Sequence, residues 1–212
     1  MGFFRLVPPK HQRQRQTLRV LWLGIQKLLL GVWLGALCLI TATPVLAAEG
    51  IEFVDATLSV TDEGYSLSSN FSVELTHALE DALSRGIPLH FKLQLEVSRS
   101  RWYWLDDVAI KSSRNIRISY NVLTRQYRAS VDGSLYRSFA QLDDVLALLR
   151  HPGRWLVAEP STLKADANYT VAIQFGLDVS QLPKTIQVTA LGSGDWKMSS
   201  GWTRFNYKVE SK

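Results

Sequence analysis

The chain has 212 residues, with 24 Lys and Arg against 19 Asp and Glu, a formal charge of +5 and a sequence pI near 9.4. That balance would suit nucleic acid, but six of the 24 cations and none of the 19 acids precede Glu49, leaving 18 against 19 in the remainder. The basic pI therefore belongs to the first 48 residues, and nucleic-acid binding loses its electrostatic ground. The single cysteine, Cys38, also lies there, so the rest of the chain can form no disulfide, thiolate nucleophile or cysteine metal site.

Residues 1–48 read as a targeting segment. Arg5, Lys10, Arg13, Arg15, Arg19 and Lys27 make a basic leader, and the 21 residues from Leu28 to Ala48 carry no charge. Leu28 to Ile40 is strongly apolar. Small residues and Pro44 then lead to Val45-Leu46-Ala47-Ala48-Glu49, which fits signal cleavage after Ala47 or after Ala48. The uncharged run also suffices for an uncleaved membrane anchor, since a span needs about 20 residues. Either way residues 18–48 meet the membrane at least transiently, and the positive leader places 49–212 on the far side of it.

The exported part, residues 49–212, is long enough for one domain with a substantial core. Its dominant pattern is period two. Tyr65, Leu67, Phe71 and Val73 alternate with serines and Asn70. Leu89, Phe91, Leu93, Leu95 and Val97 alternate with polar residues, as do Ile116, Ile118, Tyr120 and Val122. Tyr127, Ala129 and Val131 follow, then Tyr169 to Val179 and Phe205, Tyr207 and Val209. Such alternation gives strands with one buried and one wet face, an antiparallel habit that excludes a parallel sheet. Asp62-Glu63-Gly64, Asp132-Gly133 and Gly192-Ser193-Gly194 read as hairpin punctuation.

Two short helices interrupt the strands. One spans about 75–84 and stops at Gly86 and Pro88; the other spans about 139–150, opening with a capping box, Ser138 and Gln141. The expected fold is mainly β (β-rich α+β), an antiparallel β-sandwich or curled sheet of roughly eight to ten strands with two short helices.

Local signatures of catalysis are missing. His77, His90 and His151 have no ligand spacing. Gly192-Ser193-Gly194 lacks the frame of a nucleophile elbow. Asp106-Asp107 and Asp143-Asp144 are adjacent pairs whose carboxylates diverge. No phosphate loop or cofactor motif occurs, so the reading is non-enzymatic, with no cofactor and no metal. Two residue groups suit recognition instead. Trp102 and Trp104, on one face of a strand, would form a stacking platform, although they fit core packing equally. Arg114, Arg117, Arg125, Arg128 and Arg137 cluster on two adjacent strands; the polar-face Arg117 and Arg128, with Arg125, would meet an anionic ligand or partner, or form a solvated face.

The run from Ile118 to Arg128 (ISYNVLTRQYR) resembles the signature of a family of uncharacterised exported proteobacterial proteins, the DUF 4390 family, often labelled proline-rich signal peptide proteins. Arg85 to Leu89, Leu182-Pro183-Lys184 with Gln187-Val188, and Asp195-Trp196 followed by Trp202 resemble it too, so the likeness spans about Ile51 to Tyr207. It implies a bacterial periplasmic location, soluble or anchored to the inner membrane. It carries no catalytic residue, and it implies an association with a membrane sensor kinase. The functional expectation is a non-catalytic periplasmic binding or accessory module. The alternative is a carrier of an apolar or lipid-like ligand within a partly open sheet. A filled core with an exposed arginine or aromatic patch would favour the first, and a continuous internal pocket the second.

Overall fold

A computed structural model describes residues 50–99 and 107–209. The targeting segment with Ala47 and Ala48, and the pair Trp102 and Trp104, lie outside the described residues. Nine strands form two antiparallel sheets among the described residues. The smaller has the order β1-β2-β7, from β1 (Gly50–Thr61), β2 (Gly64–Glu74) and β7 (Trp155–Ala158). The larger has the order β6-β5-β4-β3-β8-β9. Its strands are β3 (Leu89–Arg99), β4 (Asp107–Asn121), β5 (Gln126–Val131), β6 (Arg137–Phe139), β8 (Asn168–Leu177) and β9 (Thr203–Lys208).

The alternation expected from the sequence builds the core directly. Leu89, Phe91, Leu93, Leu95 and Val97 of β3 are buried, as are Tyr169, Val171, Ile173 and Phe175 of β8. Across the gap, Tyr65, Leu67, Phe71 and Val73 of β2 are buried too. Phe71 of the small sheet packs on Phe175 of the large one at 4.9 Å between ring centres, and Phe175 on Phe91 at 5.9 Å. These are the separations at which tilted rings attract. The space between the sheets here is filled by side chains.

Strand β1 obeys a broken version of the rule. Its register with β2 shifts between Phe53 and Asp55, so Val54 is an extra residue and lies exposed. Ile51 is buried before this bulge and Leu58 after it, on opposite sequence parity. The β1–β2 turn is the two-residue Asp62-Glu63, closed by the Thr61–Gly64 pair. Gly64 has φ 138°, and a Cβ there would sit 2.1 Å from the Ala158 carbonyl oxygen of β7. Only glycine fits.

Three helices are present, one more than the sequence reading. Helix α1 (His77–Ser84) buries Leu79, Ala82 and Leu83; Thr76 caps it by accepting from the Leu79 N–H at 3.4 Å and donates to the Asp195 carbonyl at 2.7 Å. Helix α2 (Leu142–Arg150) buries Val145, Leu146 and Leu149 against β2, β5 and β6. The expected capping box at Ser138 does not form. Residues 137–139 instead pair with Tyr127 to Ala129 as edge strand β6, and Gln141 is the cap, without a side-chain bond. Backbone pairing on an open sheet edge outweighs a single hydroxyl cap.

Helix α3 (Lys184–Gly192) follows Pro183, where no helix was expected, and Gly192-Ser193-Gly194 is its exit rather than a hairpin turn. Ser193 accepts from the Asp195 N–H to start a short 3-10 turn through Trp196. Strand β8 likewise ends at Leu177, before Val179, because the Asp178 carboxylate caps a 3-10 turn over Val179–Gln181.

Candidate functional site

One buried face of the six-stranded sheet leaves the other free for polar side chains, and β3, β4 and β5 supply most of them. Outward residues on β3 are His90, Lys92, Gln94 and Glu96; on β4 they are Lys111, Ser113, Asn115, Arg117 and Ser119. Arg117 stands opposite His90 on one side and Ser130 of β5 on the other. Its Nη1 donates to the Tyr136 hydroxyl at 2.7 Å, and its guanidinium carbon lies 5.7 Å from that ring centre. Arg117 Nε is buried without a hydrogen-bond partner. No carboxylate within ion-pair distance of Arg117 is found among the described residues.

Arg117, Tyr136, His90, Asn115, Ser130, Gly133 and Ser134 line an open recess of about 220 Å³. The turn that shapes it is Asp132-Gly133, with φ 49° and 74°, the backbone that an Asp-Gly hairpin favours. Burial holds the His90 imidazole below its ordinary pKa, the Arg117 charge pushes the same way, and Asp178 opposes both.

A second recess of about 220 Å³ continues along the same face, lined by Lys92, Gln94, Glu96, Lys111, Ser113 and Trp202. The Trp202 side chain is 43% exposed. It is brought there by the segment leading into β9, which crosses tightly over Gly176: Leu177 N–H donates to the Met198 carbonyl at 2.8 Å, and Ser200 N–H to that of Phe175 at 2.9 Å. A Cβ on Gly176 would sit 2.9 Å from the Met198 oxygen. A third recess, of about 410 Å³, runs from Lys92 and Gln94 to Gln174, Asp178 and Ser199.

The arginine cluster read from the sequence divides. Arg117 and half-buried Arg128 share the outer face as diagonal neighbours across the β4–β5 pair, where Arg117 faces Ser130 and Ser119 faces Arg128. Arg125 sits in the tight turn beyond Asn121 and Gln126, exposed and at φ 53°, at the end of the hairpin. Tyr120 and Tyr127 pair on the inner face at 4.8 Å, holding the hairpin together as expected. Arg137 lies over Phe139 at the sheet edge, at 5.5 Å.

Arg114 points the other way, into the seam between the sheets. Its Nη1 donates to the Pro152 carbonyl at 3.0 Å, Nη2 reaches that of Arg154 at 3.4 Å, and Nε approaches Asp132 at 3.4 Å. Its guanidinium carbon lies 5.3 Å from the Trp155 ring centre. Burial pulls its pKa below the ordinary arginine value, against the Asp132 charge. Sequence reasoning did not single out Trp202 or Tyr136 as recognition residues, because both stand in irregular segments that carry no periodic signal.

Among the described residues, no group of three or more His, Cys, Asp or Glu is placed to hold a metal ion. Nor is any helix there long and apolar enough to cross a membrane. Residues 48–206 match the family described as Domain of unknown function (DUF4390). The chain belongs to that family. No curated protein and no solved structure matches it. The DUF4390 match takes in β1 to β8 whole and β9 as far as Asn206, and so includes all the residues that line the three recesses.

Proposed function

We propose that this DUF4390 chain is a non-catalytic module, exported to the bacterial periplasm by residues 1–48, that recognises a ligand or partner through the outer face of its six-stranded sheet. The observation that carries the reading is Arg117. A guanidinium without a carboxylate partner is held open by Tyr136 in a recess of hydroxyls and amides, an arrangement that accepts an anionic group. The filled contact between Phe71, Phe91 and Phe175 supports such a surface over a carrier, which needs room between the sheets. The resemblance adds a membrane sensor kinase as the protein such a module would serve.

A photo-crosslinking residue at Ser119, activated in intact cells, should give an envelope adduct that disappears in the double variant Arg117→Gln/Arg128→Gln. The melting temperature should hardly change, because exposed ionic contacts contribute about 0–1 kcal/mol each. An adduct that persists unchanged in the double variant would overturn the recognition face. A phosphatase fused after Lys212 should be active; inactivity would overturn export.

A further inference from the structure

The charge of the chain beyond residue 48 nearly cancels, at 18 cations to 19 acids, yet it is not evenly spread. Strand register sorts the outward side chains of the six-stranded sheet unambiguously. Lys92, Lys111, Arg117, Arg128, Arg204 and Lys208 all fall on the outer face, with Glu96 the one acid among the outward strand residues. Glu96 is matched by Lys111 at 3.9 Å. Asp178, at the end of β8, is already engaged in capping the Ser180 N–H. A nearly neutral domain thus carries one face with a surplus of five positive charges, and that face is complementary to an anion.

The rest of the face narrows the class. A bilayer surface requires apolar side chains to insert, and a protein interface requires an apolar, charge-poor centre. The outward strand residues between the recesses are instead polar or small: Ser113, Asn115, Ser119, Gln94, Gln174 and Ala172. Above them stands one large aromatic, the half-exposed Trp202, at the recess formed with Lys92, Gln94 and Glu96. Planar amides and hydroxyls beside an open indole ring match a sugar, whose hydroxyls take the hydrogen bonds while its C–H face lies on the aromatic. The run from Arg117 to Lys111 extends this over about 20 Å of strand, the reach of an oligomer and not of a single small anion.

We infer that the outer face of the six-stranded sheet binds an acidic polysaccharide, with Arg117 and Lys92 receiving sugar carboxylates and Trp202 stacking on a sugar ring. This rests on the recognition face proposed above and names its ligand class. The test uses the purified full-length chain in detergent, titrated with polygalacturonate, with its fully methyl-esterified form and with polyglutamate. Binding should be seen with polygalacturonate alone. It should weaken about tenfold in Trp202→Ala and about tenfold in Lys92→Gln, each the loss of one strong contact.

Equal binding of polyglutamate would show a general docking surface for acidic protein and overturn the proposal. So would an undiminished affinity in Trp202→Ala, or no binding of polygalacturonate at all. Lys92→Gln removes only an outward charge, so it tests the face even where the tryptophan variant folds poorly. An Arg117-dependent adduct at Ser119 whose captured species is protein or lipid would leave the recognition face standing and refute the glycan.

Discussion

Arg114 and Arg117 are three residues apart on one strand, and their opposite directions make a sharp energetic contrast. Arg114 is 14% exposed and donates to the carbonyls of Pro152 and Arg154, which tie the segment entering β7 to the large sheet. A hydrogen bond from a charged donor contributes about 1.5–3 kcal/mol net, and a buried carbonyl left without its donor loses about as much. Asp132 is 45% exposed and is rehydrated when Arg114 is removed, so its share is small. Arg114→Met, which keeps most of the aliphatic packing on Trp155, should therefore destabilise the fold by about 2–4 kcal/mol.

For a domain of this size that is a fall in Tm of about 5–15 °C. Arg117→Gln should stay within about 1 kcal/mol. Thermal unfolding followed by circular dichroism, with urea unfolding as a check on the slope, measures both. Equal effects for the two variants, or a loss below about 1 kcal/mol for Arg114→Met, would refute the inward register of Arg114 and with it the division of the arginine cluster.

Gly64→Ala should cost more than about 1 kcal/mol, visible as a lower urea midpoint, because the new methyl meets the Ala158 carbonyl and the backbone there is left-handed. The His90 ring proton, followed by NMR, should titrate below 6.5, and the midpoint should rise in Arg117→Gln as one of its two depressing influences is removed. Between the depressed folded value and 6.5 the unfolded chain binds more protons at His90 than the folded one. This group's contribution to stability is therefore complete above pH 6.5 and declines as the pH falls through that window. A His90 midpoint that is unchanged by Arg117→Gln would separate the two side chains.

The strands were legible wherever parity was unbroken. Leu89 to Val97 and Tyr169 to Phe175 keep strict alternation because both central strands are buried on one face only, and the sequence pattern states that face directly. Strand β1 could not be traced in this way: Val54 shifts the parity, so Ile51 and Leu58 look out of phase until the bulge is known. The start of α2 was misplaced because Ser138 satisfies a local capping rule that the neighbouring edge of β5 overrides. Helix α3 was hidden by Thr185, Ile186, Val188 and Thr189, β-branched residues whose propensity favours strand, and by a length of nine residues that gives periodicity little room. For the site, counting back in twos from Ile116 places Arg114 inside and Arg117 outside. The position of Trp202 depends instead on how a chain without regular structure crosses Gly176, which no local pattern encodes.

The pairing of β3 with β8 joins Phe91 to Leu177, residues far apart in the chain, whereas β3 with β4 and β4 with β5 are near neighbours. The β4–β5 hairpin closes cheaply, but the centre of the large sheet waits for the last quarter of the polypeptide. Until residues 168–177 are available, β3 offers a bare edge beside a row of Leu, Phe and Val, the pattern most prone to pairing with another chain. A nascent or truncated chain ending before Asn168 should therefore aggregate, not persist as a smaller soluble domain. Any machinery that delivers the chain from its N-terminus must keep the first two-thirds unfolded or shielded until the end has arrived.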